Sequence, residues 1–387
     1  MAPSSALAQR GQVSIIEEDS VTDSPGQVLQ ELRHLGATEL RLVVHWTDLA
    51  PNPNSPRRPR FNAANPGAYP ASSWAPFDNV VRRARADGIK VLLTITGHAP
   101  RWAFGRGEPG GSIRNALGAW KPNASEFGQL VQAMGTRYSG HYHGLPRVSS
   151  WQIYSEPNFG EGLAPQSVGP VYTSAVMYRG LVGSAWRALH VSGHGHDTII
   201  IGALAARGEE QPRVLGETPP LDFVRELYCL NKHYQPFRGR AARRHSCPGS
   251  AAAFRRQNPG LFGASGFAVH PYPLGADMRL PPTRTRTPNP NYAAFAQLPH
   301  FTQGLDRALL TDGSGKRYPV WNTEYGYISD PPNQSGVSLA NQAYYLNWAE
   351  YLSYQNPRIA SFMQFLLLDP NPTCLLYTSD AADDLTR

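Results

Sequence analysis

The chain has 387 residues, 41% of them hydrophobic and 17% charged, which is the profile of a folded protein and excludes a disordered one. No run reaches the roughly 18 apolar residues a membrane-spanning helix needs; the longest, KVLLTI and TIIIGALA, have the length of strands. The net charge is +7, and of the 36 basic residues only four are lysines, so 36 − 4 = 32 are arginines. They are scattered. The densest patches, SPRRPR (55–60) and RGRAARRH (238–245), sit in Pro/Gly/Ala-rich sequence rather than along one stripe, which argues against nucleic acid as a partner.

In chain order, residues 1–12 (MAPSSALAQRGQ) contain small residues like those before a signal-peptidase site but no apolar core, and are expected to be a remnant of a signal or linker. Apolar or β-branched runs then recur at 13–17, 40–45, 90–96, 150–155, 198–204, 265–270, 318–323 and 359–367. Helical patterns lie between several of them, at 24–36, 75–88, 123–140, 169–190 and 337–354; the first opens on Ser-Pro and closes on Gly. Strand–helix alternation implies a parallel sheet, and eight nearly continuous apolar strands imply one buried on both sides: a (β/α)8 barrel spanning 13–368. The competing doubly wound sheet would want a Gly-rich phosphate loop after the first strand, where this chain has EEDSVTDSPG. Two long segments interrupt the rhythm, 48–74 after strand two and the insertion 205–262 after strand five. Both follow C-terminal strand ends, the side on which barrels build active sites.

Two glutamates end strands on that side: Glu156, in WQIYSEPNFG, and Glu324, in YPVWNTEYGY. Cleavage of a glycosidic bond needs one carboxyl group that starts protonated and one that starts ionised. A single glutamate at a strand end is usually structural; two in matching positions on strands four and seven point to this chemistry. Aromatic rings suit the C–H faces of sugars. Trp46 and Trp102, each just past a strand end, are the best candidates among Trp46, Trp102, Tyr154, Phe159, Tyr272 and Tyr327, although ordinary core packing accounts for such rings as readily.

The segments WQIYSEPN, VWNTEYGY, FAVHPYP (267–273) and LRLVVHWTDLAP (40–51) resemble, in order, the strand-four, strand-seven, strand-six and strand-two signatures of clan A glycoside hydrolases, nearest in style to families 5 and 39. The likeness extends over about residues 13–368. It implies a retaining hydrolase of β-linked glycans that needs no cofactor or metal, with Glu156 as acid/base and Glu324 as nucleophile. By the same resemblance Tyr272 donates to Glu324, Arg41 lies beside Glu324, and His270 contacts the sugar or the acid/base. His98, in TITGHAP, is a sugar-contact candidate, and Asn158 shapes the acid/base loop or a plain turn. Arg41 read alone could be a structural ion-pair member, and His270 a satisfied core histidine. The family usually has Asn before the acid/base, bonding the sugar 2-hydroxyl; this chain has Ser155, whose reach is shorter. A carbohydrate-binding barrel with impaired catalysis is therefore the alternative.

Cys229 and Cys247 lie 18 residues apart in the insertion and are expected to form a disulfide, as in a secreted protein, rather than stay as free buried thiols. The end of the chain, 369–387, includes Cys374 and the string CLLYTSDAADDLTR, which resembles translated adapter sequence. The barrel is accordingly expected to lack its closing helix.

Overall fold

The computed structural model describes residues 11–108 and 118–367. Eight parallel strands close on themselves in sequence order: β1 (Val13–Glu17), β2 (Glu39–His45), β3 (Lys90–Thr96), β4 (Ser150–Ile153), β5 (Thr198–Ala205), β6 (Gly266–His270), β7 (Val320–Asn322) and β8 (Ile359–Phe365). The ring is completed by β8 pairing with β1, Ile15 opposite Met363 and Glu17 opposite Phe365. Among the described residues, seven helices of eight residues or more pack outside: α1 (Pro25–His34), α2 (Ala71–Ala86), α3 (Ala124–Arg137), α4 (Thr173–Val191), α5 (Pro220–Leu227), α6 (Leu298–Thr311) and α7 (Leu339–Gln355). The starts are written locally. Pro25 opens α1, the Asn123 side chain accepts from the first-turn amides of α3, and the Ser338 hydroxyl does the same for α7.

Alternation along the strands separates two cores. Leu40, Leu42 and Val44 of β2 face the helices, with Val91, Leu93 and Ile95 of β3. Ile15, Leu92, Ile200, Ala268, Trp321 and Met363 fill the interior of the barrel. Continuing the inward parity toward the C-terminal end reaches Glu17, Arg41 and Thr94, all buried. The barrel thus has an apolar floor and, one layer higher, a polar ceiling.

All eight expected strands lie within two residues of the observed bounds. β4 and β7 are shorter, because the chain turns out of the sheet just before each glutamate. The segment 205–262 is no bare loop: it carries α5 and two shorter helices, Gly239–Arg244 and Ala251–Gln257, and Cys229 is bonded to Cys247. Helix α6 was not anticipated, yet its buried Leu298, Phe301, Leu305, Ala308 and Leu309 keep helical spacing. Expectations for 1–10 and 369–387, Cys374 included, lie outside the described residues. Among the described residues no helix is long and apolar enough to cross a membrane.

Candidate active site

The acid at the end of β4 is held by its backbone. Tyr154 (φ 71°) and Glu156 (φ 45°) both occupy the left-handed region, costly for residues with a side chain and typical of functional turns. The Tyr154 amide donates to Ile95 O (2.8 Å) and the Glu156 amide to Ala203 O (2.9 Å). The latter carbonyl is available because β5 bulges, its register against β6 shifting between Gly202 and Leu204. Gly202 (φ 96°) permits this: a Cβ there would lie 2.6 Å from the Phe267 ring. Asn158 is fully buried and serves structure. Its amide donates to Ala205 O (3.1 Å) and Thr218 O (2.9 Å) and accepts from Ala205 N (2.8 Å), tying the turn after Glu156 to β5.

The acid at the end of β7 is held by side chains. Arg41 Nη1 donates to Glu324 Oε1 (2.6 Å) and the Tyr272 hydroxyl to Oε2 (3.4 Å). Burial alone would raise the Glu324 pKa, but the charges of His270 and Arg41 and the hydrogen bonds from Arg41 and Tyr272 outweigh it, so the carboxyl is held below its ordinary value. His270, buried on β6, stands between the two acids: Nδ1 lies 2.8 Å from Glu156 Oε1 and 3.4 Å from Glu324 Oε2. Its Nε2 is buried without a hydrogen-bond partner. The Ser155 hydroxyl accepts from Arg41 Nη2 (3.0 Å), and the Ser155 amide donates to Thr96 Oγ1 (3.1 Å).

One atom each of Glu156, His270 and Glu324 lie within 4.8 Å of one another. Such a set could hold a cation; it is equally a pair of carboxyl groups facing one reacting centre, with an imidazole between them. The side chains of Glu156 and Glu324 are 24% and 15% exposed, enough to meet a ligand while remaining largely desolvated.

The other expected contacts divide. His98 is exposed and stacks with exposed His45, ring centroids 6.2 Å apart, while its Nε2 lies 3.2 Å from Glu161 O. Trp102 is half-buried; its indole donates to Pro51 O (3.1 Å) and packs on Phe61, which fastens it to the 48–74 segment. Trp46 is not a sugar contact. It is 1% exposed, with its ring edge-on to Trp102 and Phe127, because the chain turns into a short helix, Trp46–Leu49, directly after β2 and carries the indole into the helix-facing core.

Two buried acids went unmarked in the sequence. Glu17 ends β1 and pairs with Arg41, which also bridges to Glu324. It obeys the rule that picks out Glu156 and Glu324, a glutamate at the C-terminal end of a strand, so the signal was present in VSIIE. Glu217 is 5% exposed and meets the turn after Glu156 through a bridge to Phe159. Burial, reinforced by the charge of Glu156, pushes it up to about 8. It lies in the long segment after β5, where no pattern singles it out.

No family model and no curated protein matches the sequence. Among solved structures the fold recurs in a glucosidase from Croceicoccus marinus (TM-score 0.55, 14% identity, 97% of this chain and 63% of that one). It recurs in a β-glucosidase from Thermotoga maritima in complex with deoxynojirimycin (TM-score 0.56, 12% identity, 93% and 89%). It recurs again in a Thermotoga maritima family 1 glycoside hydrolase complexed with a cyclophellitol analogue transition-state mimic (TM-score 0.53, 12% identity, 94% and 90%). The chain thus spans less than two thirds of the first of these. The resemblance to clan A glycoside hydrolases read from the motifs is met at the level of the fold, an eight-stranded parallel barrel shared with glucosidases.

Proposed function

We propose that the chain is a retaining glycoside hydrolase that cleaves β-linked O-glycosides by double displacement. The observation that carries this is the separation of the two acids, with an oxygen of Glu156 and an oxygen of Glu324 within 4.8 Å. Retaining enzymes keep their carboxyl groups about 5–5.5 Å apart, whereas inverting enzymes need roughly 6.5–9.5 Å to admit a water. The electrostatics agree in direction, since Glu324 is held ionised, as a nucleophile must be.

In the first step Glu324 attacks the anomeric carbon, the glycosidic C–O bond breaks, and the Glu156 proton passes to the leaving oxygen. In the second, Glu156 takes a proton from water, whose oxygen displaces Glu324 and returns the sugar with its starting configuration. His270 Nδ1, 2.8 Å from Glu156 Oε1, orients the acid through both steps. Ser155, fixed through its oxygen by Arg41, keeps its own O–H free to donate to the sugar held over Glu324. Location in an oxidising, extracellular setting is part of the same reading, supported by the bonded Cys229–Cys247 pair.

A panel of aryl β-glycosides followed by NMR tests the proposal. Release of the aryl alcohol with the β-anomer formed first is expected. Initial formation of the α-anomer would replace double displacement by inversion. Oligosaccharide binding with no turnover of any substrate would leave only a carbohydrate-binding barrel.

A further inference from the structure

We propose that Glu17 is a positioning residue of the reaction: it locks the Arg41 guanidinium in the orientation that serves Glu324 and Ser155 at once. This role for Glu17 rests on the reading of Glu324 as the nucleophile.

Strand register makes the lock. Glu17 and Arg41 are direct partners in the β1–β2 ladder, both on the inward parity, so their side chains enter the barrel at the same height. Arg41 is 1% exposed, so every N–H it turns from water must be answered by the protein. The answers come from four elements. Nε donates to Thr94 Oγ1 of β3 (3.2 Å) and Nη2 to Ser155 Oγ after β4 (3.0 Å). Nη1 donates both to Glu17 of β1 and to Glu324 after β7 (2.6 Å to the latter). Of these partners Glu324 must change during the reaction, because it surrenders its charge to the anomeric carbon. Glu17 is the acceptor that stays, and it can keep the guanidinium from following.

The charged groups acting on Glu17 are Arg41 from β2, Glu324 from the β7 end and Asp19 from the turn after β1; on the β8 side its register partner is the uncharged Phe365. Burial outweighs the Arg41 charge and pushes Glu17 up to about 8. Arg41 Nη1 is thus shared between Glu17, which takes no part in bond making, and Glu324.

The test is the pH profile of kcat/KM on an aryl β-glycoside for the full chain and for Glu17→Ala, Glu17→Met and Glu17→Gln, with thermal melting to confirm folding. Alanine deletes the acceptor, methionine deletes it at nearly constant volume, and glutamine restores an acceptor oxygen. With the acceptor gone, Arg41 loosens from Glu324. The alanine and methionine variants should lose about 10- to 100-fold in kcat/KM, the cost of a misplaced catalytic group. Their acidic limb should move to higher pH, and glutamine should recover both toward wild type. Should the alanine variant fail to fold, the methionine variant decides. Alanine and methionine profiles superposing on an active wild type overturn the role of Glu17 and leave the hydrolase standing. A wild type that turns over no glycoside overturns both, and is recognised before any variant is made.

Discussion

The ends of β4 and β7 solve opposite problems with opposite means. At β4 the main chain does the holding: two left-handed residues flank Ser155, a β5 carbonyl receives the Glu156 amide, and the carboxyl itself meets His270. At β7 the main chain is ordinary and side chains converge, Arg41, Tyr272 and His270 each within 3.4 Å of Glu324. On the proposed mechanism Glu156 gains and loses a proton while Glu324 stays ionised, and a group that must stay ionised is best surrounded by donors. Backbone tethering places the first; converging donors place the second and favour its ionised form.

The contrast can be broken most severely at β7. Glu324→Ala should lower kcat on the order of 10⁴-fold or more, the scale of removing one member of a catalytic unit; azide supplied as an external nucleophile should recover turnover with inverted anomeric configuration by NMR. At β4, Glu156→Gln should cost about 10²- to 10⁴-fold on glycosides with poor leaving groups. It should spare the attack step on dinitrophenyl glycosides, whose leaving group departs unprotonated. An equal loss with both leaving groups would remove the acid role.

The third acid sharpens the β4 side. Glu217 is raised to about 8, so its favourable contribution to stability is complete below the ordinary glutamate value near 4.5 and is lost as pH climbs through 8. Glu217→Gln should therefore flatten the alkaline fall of Tm when melting is compared at pH 6 and pH 9. The effect is a few kcal/mol at most, since a tenfold change in proton affinity is worth roughly 1.4 kcal/mol. Least drastic is Tyr272→Phe, which removes one long hydrogen bond at Glu324. A loss of about tenfold in kcat/KM, roughly 1.4 kcal/mol, is expected, with the acidic limb displaced upward; a displaced alkaline limb instead would assign Tyr272 to the other arm.

What the sequence disclosed follows the same division. Eight apolar runs in register with turn signals disclose a barrel, because burial on both faces leaves no other pattern for the strands. Glu156 and Glu324 are legible because each follows a strand end in an aromatic, Pro/Gly-flanked context, and Tyr272 and His270 because FAVHPYP resembles the strand-six signature. Trp46 misled: position after a strand end does not say which way the chain turns, and a four-residue helix sends the indole inward. Glu217 and the helices of 205–262 stayed hidden because their positions depend on contacts across the segment, Phe159 to Glu217 and Cys229 to Cys247, rather than on local periodicity. The pairing of Glu17 with Arg41 is a property of the layer the two share across β1 and β2, and no single strand announces it.

The bulge in β5 has a consequence for how this scaffold can change through its history. One supernumerary residue, Ala203, supplies the carbonyl that fixes the Glu156 amide. A single-codon deletion there is expected to straighten the strand, withdraw that tether and shift Glu156, with both glutamates still encoded. On the proposed function, gain or loss of hydrolysis in descendants of this barrel turns on the length of one strand and leaves no trace in an inventory of side chains.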